Sequence, residues 1–153
     1  MGALVLSALV AGLVASPAMA KKTAYAGTYV GADPLESGVS FKVVSKRKGG
    51  GFRPVTVLKF KYTVTVNCTA SDGEVRGLRT TPADSVPPMR VSGRQFANST
   101  TFENLTYEVR GRIPRHGRPT GTIRVSGFYT LPEITVTCDS TVPWHAQKDD
   151  LGY

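Results

Sequence analysis

Apolar and polar residues alternate with a period of two along most of this chain. The longest run, LKFKYTVTVNCT, holds Leu58, Phe60, Tyr62, Val64 and Val66 in step and ends on Cys68. A second run, ITVTCDST, sets Ile134 and Val136 ahead of Cys138 in the same way. Period two marks strands with one buried face, since residues two apart share a side. Shorter segments follow the rule at residues 28–30 in GTYVG, at Val39, Phe41 and Val43, and across 89–96. They recur at Leu105, Tyr107, Val109 and Ile113, and at Ile123, Val125 and Tyr129, with a short strand at 75–80. Between them lie the loops SKRKGGGFRP and PRHGRP, the turns TASDGEVRG and LPE, and the proline-rich TPADSVPP. No helical period follows residue 20. These features predict an all-β fold, an antiparallel sandwich or small barrel of about 7–9 strands.

The first twenty residues, MGALVLSALVAGLVASPAMA, are apolar and end in the small-x-small pattern Ala18-Met19-Ala20. This is the pattern of an export signal cleaved after Ala20, although no Lys or Arg precedes it and the pair Lys21-Lys22 follows. Residues 21–153 then form a single β domain, with a polar tail that frays after about residue 146. No later stretch is apolar enough to span a membrane, so the expected location is secreted, periplasmic or at the cell envelope.

Export gives the two cysteines a purpose, because one pair in an oxidising compartment reads as one disulfide. Both thiols share parity with the apolar set of their strand, so both face the core. A Cys68–Cys138 bridge stabilises the fold by about 4 kcal/mol in the chain-entropy account. Both cysteines also close their apolar runs. If those are strand ends, the two strands run in the same direction and the two basic loops fall at opposite poles.

Charge adds the main functional clue. The formal net charge is +8, with 19 Lys and Arg against 11 Asp and Glu. An excess of this size favours polyanions. Hairpin registers that keep the apolar parity set Lys42 opposite Lys59 with Lys61 beyond, and Arg110 opposite Arg124 with Arg112 alongside. Directly opposed like charges cost stability. A face built from these six residues therefore calls for counter-ions or for an anionic partner: acidic polysaccharide, an anionic lipid surface or nucleic acid. Gly49-Gly50-Gly51 reads as a flexible loop rather than a phosphate cradle, because no helix follows it.

Catalytic motifs are scarce. His116 and His145 have no carboxylate or nucleophile at a suggestive spacing, and no nucleophile elbow, zincin helix or phosphate loop occurs. Two isolated cysteines cannot complete a zinc site, so neither metal nor cofactor is expected. The pairs Asp72/Glu74 and Asp149/Asp150 read as solvated surface. Trp144 reads as a seal over the barrel bottom or the disulfide, with sugar stacking as the alternative. Glycosylation sequons occur at Asn67, Asn98 and Asn104.

GTYVG, the strands leading to a cysteine, Gly93 to Phe96, VRGRI and the closing CDSTVPWHA together resemble a group of small secreted bacterial β domains with one cysteine pair and a late tryptophan. That resemblance implies export, the disulfide and the all-β fold, and carries no activity. Lipocalins open on Gly-x-Trp, whereas this chain has Gly27-Thr28-Tyr29. The combined expectation is a monomeric, exported, non-catalytic binding module. A lipocalin-like carrier of apolar ligands and a secreted enzyme are the alternatives.

Overall fold

The computed structural model describes residues 25–31, 37–81 and 86–149, so the expected signal lies outside the described residues. Nine strands follow in order: β1 (Gly27–Gly31), β2 (Ser37–Lys48), β3 (Gly51–Ala70), β4 (Val75–Thr80), β5 (Met89–Arg90), β6 (Gln95–Phe102), β7 (Leu105–Arg112), β8 (Thr120–Leu131) and β9 (Ile134–Lys148). They form one antiparallel sheet in the order β4-β3-β2-β1-β9-β8-β7-β6. The sheet curls back on itself in two places. One end of β3 pairs directly with β9, and β5 bridges from β3 at Thr56 and Val57 to the start of β6. The all-β reading is correct, and 75–80 is a strand. The segment 89–96 is two strands, divided by a tight turn at Gly93-Arg94.

Strand β3 departs from strict alternation. Ser40 pairs with Lys61 and Lys42 with Leu58, so β3 carries one extra residue between these partners, a bulge at whose centre Lys59 takes φ 51°. The bulge flips the parity. Phe60, Tyr62, Val64 and Val66 are buried as expected, but Val57 replaces Leu58 as the buried residue on the other side of it. A second shift admits Val55, next to Pro54, whose missing N–H is tolerated at a bulge. Beyond it the expected loop SKRKGGGFRP is instead a two-stranded arm. Lys48 pairs with Gly51, and Gly49 and Gly50 both take positive φ, as the favoured two-residue hairpin turn requires.

Cys68 and Cys138 are bonded, with their Cα atoms 4.3 Å apart. They are direct partners in the β3–β9 ladder, and that ladder is antiparallel. The expectation of parallel cysteine strands is therefore wrong. Cys138 is the fifth residue of β9, which continues for ten more through Trp144 to Lys148, past the expected fraying point at 146. The interior set goes on beyond the cysteine at Trp144 and Ala146, separated from it by Ser140 and a half-buried Val142. With β9 reversed, the β2–β3 arm, the β5–β6 turn and the β7–β8 loop share one pole. The β3–β4, β6–β7 and β8–β9 turns share the other, which the disulfide adjoins.

The core on the basic-loop side is aromatic. Phe41 of β2, Phe60 of β3, Phe96 of β6 and Trp144 of β9 form a closed cluster in which all six ring pairs touch, at centroid distances of 5.4 to 6.2 Å. Tyr29 stacks on Phe41 at 5.2 Å, and its hydroxyl donates to the Tyr25 carbonyl. One cross-strand row makes room for the rings: Phe96 pairs with Gly111, Gly111 with Gly121, and Gly121 with Trp144. A Cβ at Gly111 would enter the Phe96 ring, and one at Gly121 would strike both the Trp144 indole and the Arg110 carbonyl. Trp144 thus seals the barrel interior, in accord with one of the two structural roles its position suggested, and its indole N–H lacks a hydrogen-bond partner among the described residues.

Two tests follow from the packing. Thiol titration of the unreduced, unfolded protein should find no free thiol, and removing the bridge by replacing both cysteines with Ala should lower unfolding stability by about 4 kcal/mol. Gly111→Val should cost about 3 kcal/mol in urea unfolding. Adding Phe96→Ala should recover part of that loss, a non-additivity that equal costs in a double-mutant cycle would refute.

Candidate functional site

The three connections gathered at one pole enclose an open basin of about 1800 Å³. The β2–β3 arm contributes Lys46, Arg47, Lys48 and Arg53, the β5–β6 segment Arg90 and Arg94, and β7 with its following loop Arg112 and Arg115. His116 stands beside them, and among the described residues no Asp or Glu lines the basin. Tyr25, Pro54, Val55 and Val91 supply apolar lining, with Phe52 exposed on the arm. Main-chain bonds fix the walls to one another. Val91 N–H donates to Val55 O at 2.9 Å, and Ile113 N–H to Arg94 O at 2.8 Å. The site is thus built from backbone geometry rather than from one flexible loop.

The electrostatics are unbalanced. Lys46 lies directly opposite Arg53 in the ladder, the like-charge opposition expected on other residues. Among the described residues, no carboxylate comes within salt-bridge distance of any of the eight basin cations. In a concave site of one sign the potentials add and attract counter-charge.

The six residues expected to form one basic face are not brought together. Lys42 pairs with Leu58 and Lys61 with Ser40, while Lys59 is the bulged residue, so the first expected opposition does not form. Lys42, Lys59 and Lys61 are nevertheless all exposed on β2 and β3. The second fails for a register reason. The β7–β8 ladder sets Arg110 against Thr122 and Arg124 against Glu108, two residues from the expected alignment. Both arginines have carboxylate partners. Arg110 lies 3.4 Å from Glu108, and Arg124 lies 2.8 Å from Asp139, whose hydrogen bond and charge raise the arginine pKa further. Of the six, only Arg112 lines the basin.

Other candidates are dispersed. His145 is exposed on β9 opposite Thr120. Asp72 and Glu74 both accept from Arg76, at 3.3 and 3.2 Å. Asn67 and Asn104 are exposed, and Asn98 accepts a hydrogen bond from Thr100 at 3.0 Å. No group of three metal-ligating side chains occurs among the described residues. The carrier alternative calls for an open apolar chamber; at the level of Phe41, Phe60, Phe96 and Trp144 the interior holds those four rings in mutual contact. No protein-family model, curated protein or solved structure matches the chain.

Both basic loops are legible in the sequence, but their expected separation to opposite poles is wrong, and Arg90 and Arg94 have no place in the expected site. A signal for Arg94 is present in Ser-Gly-Arg-Gln, where Gly93 permits the tight turn that carries it; both Gly93 and Arg94 take positive φ.

Away from the basin, burial and then Tyr107 push the Tyr62 phenol from 10.0 up to about 12. The unfolded chain then loses this proton first. Stability that is fully present below pH 10 should fall as pH rises toward 12, and Tyr62→Phe should flatten the fall in urea midpoints over that window. Equal slopes for the two proteins would refute the assignment.

Proposed function

We propose that this protein is an exported, non-catalytic binding domain whose cationic basin takes an anionic macromolecule. The observation that carries this reading is the convergence of eight Lys and Arg side chains from three connections on a described lining without a carboxylate. Six of the eight are arginines, whose planar forks suit carboxylate, phosphate and sulfate alike. The basin exceeds the range of about 300–1,000 Å³ typical of small-molecule pockets. Its eight cations are all exposed and come from three separate connections, an arrangement that suits distributed charge. The disulfide is compatible with an extracellular or periplasmic location, and no helix among the described residues is long and apolar enough to cross a membrane.

Dextran sulfate should bind the purified protein, with log affinity falling linearly against log salt. Replacing Lys46, Arg53, Arg94 and Arg115 by Gln should weaken binding and flatten that slope by about one for each cation that meets a sulfate. The triple replacement Lys42→Gln, Lys59→Gln, Lys61→Gln should have little effect. A larger drop in affinity from the triple than from the quadruple variant would move the site back to the strand face, and salt-insensitive binding would remove the electrostatic reading.

A further inference from the structure

The basin pole is also the pole at which the chain enters the domain, and it has an apolar as well as a cationic character. We infer that the anionic partner is a lipid surface and that the domain docks with its basin facing the bilayer, a proposal that rests on the basin being the binding site. Two observations point this way.

First, Phe52 stands 44% exposed on the β2–β3 arm, in the ladder opposite Arg47 and beside Arg53. An apolar ring flanked by cations on a projecting hairpin suits a headgroup layer, where the ring enters the acyl boundary and the cations meet phosphates. A soluble polyanion makes less use of such an isolated ring. Base stacking along a single strand calls for successive aromatic platforms, whereas beside Phe52 the basin offers only the His116 imidazole and Tyr25, which is 8% exposed.

Second, all eight basin cations are exposed and they come from three separate connections, which matches many anionic headgroups better than one convergent group. Cations near an anionic leaflet contribute about 1 kcal/mol each, so several acting together suffice for peripheral binding.

The test is co-sedimentation of protein purified from an exporting host with phosphatidylcholine vesicles containing phosphatidylglycerol, against pure phosphatidylcholine. Binding is expected only to the anionic vesicles and should weaken as salt rises. Arg47→Gln, Arg94→Gln and Arg115→Gln should each lower partitioning by about fivefold, and Phe52→Ala should lower vesicle partitioning by a larger factor than it lowers dextran sulfate binding. Unaltered thermal unfolding establishes that each variant is folded. Equal partitioning to both kinds of vesicle, or none to either, overturns the proposal. Capture of dextran sulfate without vesicle binding overturns the lipid assignment alone and leaves the basin reading intact. Loss of both overturns both.

Discussion

The fold depends on the closed contact among Phe41, Phe60, Phe96 and Trp144. Phe41 and Phe60 come from neighbouring strands, but Trp144 stands on β9 farther along the sheet and Phe96 on β6 at its far end from β3. A sheet of this length has no reason to close unless its ends share buried surface, and four large rings in mutual contact supply it. The two glycines between Phe96 and Trp144 are the steric condition for this contact, since side chains there would hold the rings apart.

Closure has a functional consequence one layer out. Arg94 immediately precedes β6, which carries Phe96, and Arg112 follows Gly111, so the cluster that draws β6 toward β3 also draws their cations toward the β2–β3 arm. Main-chain bonds from Val91 to Val55 and from Ile113 to Arg94 then hold the walls together. A cationic basin is electrostatically unfavourable to assemble, and the rigid aromatic layer beside it offsets that repulsion.

At the opposite pole the disulfide joins the ends of the two longest strands where their ladder spans only three residue pairs. It secures this closure, while the aromatic cluster secures the other. Charges on this side and along β7 to β9 are largely matched: Arg76 with Asp72 and Glu74, Arg110 with Glu108, and Arg124 with Asp139. Among the described residues, most cations without a carboxylate partner therefore stand at the basin end, with Lys42, Lys59, Lys61 and Arg79 on β2 to β4 as the exceptions.

Local sequence determined the strand class, most of the buried face and the cysteine pair, because period-two alternation and cysteine parity act between residues two apart and need no partner. Leu58 broke the pattern because the bulge at Lys59 is set by what β2 presents across the ladder, and alternation within β3 carries no trace of it. The direction of β9 was hidden for a related reason: Ser140 and a half-buried Val142 interrupt the interior set, so the apolar run stops at the cysteine while the strand continues. That single reversal moved the two basic loops from opposite poles to one. Which residues are cations was legible in the chain, but which of them stand together depends on register and strand direction, and these are decided only when distant strands compete for the same core.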